Sequence, residues 1–254
     1  MSREEFRRVV TTDPVDVGLA CLLMGTEVEP DLDVSICLAA FDALALKVPA
    51  ADPSDPPACA LALRTALSTF SGTPQDYANP KSVLLHEVIR LRRGLPIMLA
   101  VVWLEVAKRA GLPAFPVGLP GFFLVGVGTR DGPHVLVDVF AGGDLVEGPP
   151  PRSRPYNDRE LVLRVLNNVR AQAVAIPGIV ESARTALWAT DLSLLLPRHP
   201  ASLRRERGLL LARLGSYADG AAELEAYADG VAEAEEAVAE EARREARLAR
   251  ARLN

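Results

Sequence analysis

Apolar residues recur at helical spacing along most of this 254-residue chain and switch to a strand pattern only once, between residues 114 and 140. The first 70 residues read as helices. Asp13-Pro14 offers an N-cap and a first-turn proline to "VDVGLACLLM", and "DVSICLAAFDALALKV" follows as a second helix. In a third, Cys59, Leu63, Ala66, Leu67 and Phe70 share one face, and the Pro-rich "PAADPSDPP" (49–57) keeps it apart from the second. Ser82 is the expected cap of a helix whose basic end, Arg90 to Arg93, suits the C-terminal dipole before Gly94 stops it. Pro96 restarts a helix at its favoured first position. From Ile97 to Leu104 that helix is apolar on every side, so it must be buried all round as the central helix of a domain.

The segment "GLPAFPVGLPGFFLVGVG" (111–128) then reads as a helix stop, a strand, a Pro-Gly corner and a second strand. Asp131-Gly132 marks the turn of an antiparallel hairpin between "FFLVGVGT" and "HVLVDVF". A loop with three consecutive prolines (142–158) ends this mixed region, and the pattern beyond it is helical. "DRELVLRVLNNVRAQAVA" and "SARTALWATDLSLLLP" are amphipathic helices, and a helical hairpin turns at Gly215-Ser216-Tyr217. The alanine-rich tail with opposite charges three and four apart reads as a solvated final helix. The expectation is an α+β chain: a helix-rich core with a small antiparallel sheet over residues 1–150, and a helical region over 151–254.

Composition narrows the function classes. A net charge of −5 and a pI near 5.4 argue against nucleic acid or an anionic membrane as main partner. The N-terminus has no apolar signal region, and the longest apolar run, residues 95–104, is about half of what a membrane span needs. Cys21, Cys37 and Cys59 are odd in number and lack paired spacing, which disfavours a disulfide frame or a zinc site. The expected setting is the cytoplasm, with no metal and no cofactor.

The run "NPKSVLLHEVIRLRRGLPIMLAVVWLEVAKRAGLPAFPVGLPGFFLVGV" resembles the transglutaminase-like core of the bacterial SirB family. "HVLVDVFAGGDLV", "LVLRVLNNVRA" and "RERGLLLARLGSYADGAAELEAYA" resemble its later landmarks, in the same order. The resemblance implies a papain- or transglutaminase-like core followed by tetratricopeptide-like helices packed on it. In active enzymes of that fold a Cys at the start of the central helix is the nucleophile, since the helix dipole favours thiolate. A His at the start of the first hairpin strand is the base, and an Asp on the next strand orients it. Those roles fall on Pro96 or its immediate neighbour, on Phe122 and on Asp138. The family already tends to carry "G-x-P" in place of Cys but usually keeps "PGHF", where this chain has "PGFF".

Nothing else in the sequence replaces the missing groups. No Cys lies beyond residue 59, and neither a G-x-S-x-G elbow nor an H-E-x-x-H helix is present. His134 stands four residues from Asp138, ~13 Å along the strand at about 3.3 Å per residue, next to the hairpin turn. His86 takes a packing or capping role where the family shows Asn. The expected function is therefore that of a non-catalytic protein acting through protein–protein contact. The alternatives are a hydrolase or peptidase with another constellation, and a small-molecule cleft. Trp103, Phe122, Phe123, His134 and Asp138 are the candidate cleft residues. Glu87, Arg92 and Arg93 are the candidate helix-end network.

Overall fold

A computed structural model describes residues 3–252. The chain divides into two compact units, Met1–Val165 and Leu166–Asn254.

The first unit begins with four helices: α1 (Arg3–Thr11), α2 (Val17–Gly25), α3 (Val34–Ala45) and α4 (Pro56–Ala66). Asp33 and Asp55 cap α3 and α4 by accepting backbone N–H bonds. Asp16, not Asp13, caps α2: its carboxylate accepts from the Leu19 N–H, and Asp13-Pro14 lies upstream as a cis peptide. Ser82 also departs from expectation. It lies in a short 3-10 turn (Pro80–Val83), and α5 (Leu85–Leu91) starts at Leu84 without a side-chain cap.

The apolar run does form the central helix, α6 (Pro96–Arg109), with every residue from Pro96 to Trp103 buried. One polar group is buried with it. Glu105, 3% exposed, accepts the Gly18 N–H at 3.0 Å and pairs with Arg109, tying the start of α2 to α6. Gly18 leaves room for that contact, since a Cβ would stand 2.6 Å from the Glu105 carboxyl carbon.

The sheet has five strands: β1 (Ala114–Leu119), β2 (Phe122–Gly128), β3 (His134–Asp138), β4 (Asp144–Val146) and β5 (Arg154–Pro155). Their order is β4-β3-β2-β1-β5, with every pairing antiparallel. The Pro-Gly corner and the Asp-Gly turn make the two hairpins, as their residues predict. Alternation sends Val125, Val127 and Val137, all fully buried, to one side of the sheet. It sends Phe115, Val117, Leu124 and Leu136 to the other, where Phe122 packs against them.

The helix α7 (Asp158–Ala173) leads into the second unit. There α8 (Ile179–Leu194), α9 (Ser202–Arg213), α10 (Tyr217–Val231) and α11 (Glu236–Arg250) stack in sequence order. Arg207 of α9 donates to Asp191 of α8 at 2.7 Å and to Glu223 of α10 at 2.8 Å, joining three helices. The expectation of a solvated final helix is corrected here. Ala239, Ala242, Ala246 and Ala249 of α11 are buried against α10, and the charged residues lie on the outer side with Leu248. An alanine stripe at spacings of three and four makes a close helix contact without large apolar residues.

Candidate functional site

The start of α6 is fixed from both sides. The Leu95 N–H donates to the Ser82 carbonyl at 3.0 Å, and Pro96 takes the first helical position. The Ser82 hydroxyl is buried and donates to Asp76 at 3.3 Å. Asp76, 4% exposed, also accepts the Thr73 N–H at 2.7 Å and pairs with Arg93 at 3.2 Å. Ser82, Thr73 and Arg93 thus hold this carboxylate in place beside the start of α6.

Phe122 opens β2 and Asp138 closes β3. One Asp138 carboxylate oxygen accepts the Phe140 N–H at 2.9 Å and the Ala141 N–H at 3.0 Å, capping the turn into β4. Phe140 connects the two positions. Its ring meets Phe122 edge to face at 6.2 Å between centroids and Tyr77 at 5.6 Å. Gly72 lies directly beneath that ring: a Cβ there would come within 1.9 Å of it. Three aromatic side chains thus stand where the base and its surroundings are expected.

The other candidate residues separate. Phe123 points to the opposite face of β2, buried against Tyr156. Trp103 is fully buried in α6, its ring against Gly143. His134 is exposed, its Nδ1 on the Gly132 carbonyl and its ring edge-on to Phe115. Glu87, Arg92 and Arg93 do not form one network. Glu87 pairs with Lys81 and Arg90, and Arg93 turns to Asp76. Arg92 takes a left-handed φ of 56° at the end of α5 and lies over Phe70. Sequence reasoning missed Tyr77 and Phe140, although "VDVF" sets Phe140 two residues after Asp138 and signals it.

The three thiols lie on α2, α3 and α4. Burial, and then acidic neighbours, push the pKa of each above the ordinary thiol value: Glu105 and Asp16 for Cys21, Asp33 and Glu29 for Cys37, Asp55 and Asp52 for Cys59. Among the described residues no three His, Cys, Asp or Glu side chains gather as a metal site, and no helix is long and apolar enough to cross a membrane.

His86 has the packing role expected of it. It is 9% exposed, lies against Gly25, leaves Nδ1 without a partner and holds Nε2 3.6 Å from Glu29. Burial lowers its pKa, with Glu87 and Glu29 pulling the other way. The folded state therefore binds fewer protons than the unfolded chain. This contribution to stability is present above the unfolded value of 6.5 and is lost as pH falls through the folded pKa. Urea midpoints at pH 7.5 and 5.5 should show the parent losing more stability on acidification than His86→Leu. Parallel losses would exclude His86 as the cause.

Residues 36–150 match the family model of the transglutaminase-like superfamily, and residues 180–254 match that of the tetratricopeptide repeat. The fold is a transglutaminase-like domain followed by tetratricopeptide-like helices. A UPF0162 protein of Xylella fastidiosa is 31% identical over 166 residues, covering 58% of this chain and 57% of that one. The chain thus spans little more than half the length of the curated relatives it matches first. F-box only protein 21 of Mus musculus is 38% identical over 56 residues, 22% of this chain and 9% of that protein. Among solved structures, one of menin that reveals the binding site for Mixed Lineage Leukemia (MLL) protein aligns with a TM-score of 0.51. It covers 89% of this chain and 64% of the menin chain at 12% identity, a likeness of fold alone.

Proposed function

We propose that this chain is a non-catalytic transglutaminase-like protein of the SirB type that acts in the cytoplasm by binding a protein partner. One observation carries the reading: the start of the buried central helix is a proline, while all three cysteines lie on other helices with thiol pKa values pushed up. Asp138 supports it, because its carboxylate caps a turn instead of facing an imidazole. The tetratricopeptide-like helices supply a surface of the kind that holds peptides or helices. Menin, of similar fold, has a binding site for a protein.

The test pairs chemistry with binding. Thiol- and hydroxyl-directed activity probes should leave the cleft unlabelled, and a partner cross-linked in the native cell should bind again when both proteins are purified. Covalent labelling at a cleft residue, lost when that residue is changed, would refute the reading. We further expect Pro96→Cys combined with Phe122→His to give no robust amine transfer or amide hydrolysis. Phe140 and Tyr77 still crowd the base position, and Asp138 is still committed to the turn. Strong turnover by this double variant, read by amine incorporation, would show that the cleft kept its catalytic shape.

A further inference from the structure

The two most exposed large apolar side chains of the first unit, Ile36 at 67% and Leu46 at 89%, stand on one helix. The helical backbone of α3 runs on past Ala45 into Leu46, whose N–H bonds the Asp42 carbonyl. Val34, Phe41 and Leu44 are buried where α3 meets α2 and α6. On the opposite side, Ile36, Ala39, Ala43 and Leu46 follow at spacings of three, four and three, and both alanines are exposed. At 3.6 residues per turn these four lie within ~80° of arc, a single stripe.

That spacing is the seam along which one helix receives another. Here the order large, small, small, large reads the same from either end. The two alanines let backbones approach closely, and the larger residues close the contact at its ends. The stripe is therefore complementary to itself when a second copy is turned end over end. Ile36 then meets the partner's Leu46, and Ala39 meets the partner's Ala43.

Charge selects the same orientation. Asp33 and Lys47 stand at the two ends of the stripe, on the same flank of it. One Asp33 oxygen caps α3, and the other takes no hydrogen bond among the described residues. Lys47 has neither an ion pair nor a side-chain hydrogen bond among the described residues. End-over-end pairing brings each Lys47 to the partner's Asp33, whereas a parallel pair sets like charges together. Asp42, on the other flank, is already paired with Arg109 at 2.8 Å.

We propose that the exposed faces of α3 from two copies of this chain pair antiparallel and form a two-fold symmetric dimer. A single helix pair lies at the small end of specific interfaces, under about 1,200 Å² in total, so the dimer is reversible, with a Kd of about 10–100 µM. No former triad position lies on α3, so pairing of copies stands beside the binding of a partner protein and does not depend on it.

The test is sedimentation velocity of the full chain. The sedimentation coefficient should rise from the monomer value toward the dimer value between about 1 and about 300 µM. Ala43→Glu sets a carboxylate in the seam and should weaken association at least about tenfold, with the melting temperature of the dilute monomer unchanged. Lys47→Glu puts like charges at both ends and should weaken it about fivefold at low salt and less at high salt. Should Ala43→Glu fail to fold, Leu46→Ser makes the same comparison at a position almost wholly exposed. Orientation is read by oxidative cross-linking. Ala39→Cys and Ala43→Cys chains should link to each other faster than either links to itself, above the shared background from Cys37. A monomer at every concentration, association indifferent to Ala43→Glu, or faster linking of like with like overturns the proposal. So does a monomer that instead binds a different protein through Ile36 and Leu46.

Discussion

Trp103→Ala is expected to destabilise the first unit by about 3–5 kcal/mol, the range for emptying a buried aromatic site. Trp103 is the largest fully buried side chain and sits on the helix around which that unit is built. Its ring is wedged against the backbone of Gly143, where a Cβ would stand 2.7 Å away. Gly143 has a φ of +92° in the turn between β3 and β4, so the backbone there is set by its own geometry and collapses poorly into a void. The indole nitrogen has no hydrogen-bond partner, so Trp103→Phe removes an unsatisfied donor along with some volume and should cost less than half as much. The second tryptophan, Trp188, lies in the other unit and reports on it separately. Circular dichroism and Trp188 fluorescence in urea should therefore show the first unit melting early in Trp103→Ala. A loss below about 1 kcal/mol would mean that the core repacks around the space.

The second large effect lies in the helical unit, where two helices meet at glycines. Gly208 of α9 and Gly220 of α10 face each other: a Cβ on Gly220 would meet the Gly208 carbonyl oxygen at 2.7 Å and the Ala212 nitrogen at 2.9 Å. Both neighbours are backbone, so relief requires the helices to part. Gly220→Val should cost more than about 2 kcal/mol, the overpacking penalty outweighing any gain in helix propensity. Gly230, in the last turn of α10, has open space around its Cα. Gly230→Ala should therefore stabilise the same helix, by up to about 1 kcal/mol. Thermal melts of the two variants should move in opposite directions. A destabilised Gly230→Ala, or a neutral Gly220→Val, would contradict the packing described for α9 and α10.

Elements were legible wherever one periodicity held without competition. The eight-residue apolar stretch in α6 admitted only a buried helix, and the Asp-Gly turn between two apolar runs admitted only a hairpin. Helix starts were harder to read, because several acceptors compete near them. Asp13 and Asp16 both precede α2, and the backbone closes on Asp16. Ser82 has the chemistry of a cap, but its hydroxyl is drawn to Asp76, a partner contributed from six residues upstream. The burial of α11 was hidden because alanine contributes little to an apolar pattern, and its effect comes from how closely it lets two helices approach. At the site, the positions of Phe122 and Asp138 were readable by order along the chain. Tyr77 was not, because it reaches Phe140 from a 3-10 turn (Pro74–Ala78) that no strand or helix pattern announces.

Pro96 has a consequence that extends past its side chain. A residue at the start of a buried helix ordinarily offers its own amide hydrogen to whatever binds there, and in acyl-transfer chemistry such amides hold the developing oxyanion. Proline has no amide hydrogen. Proline at position 96 thus offers neither a thiol nor an amide hydrogen and leaves the start of α6 with one backbone donor fewer. An anionic ligand thereby loses a reason to settle at that helix start.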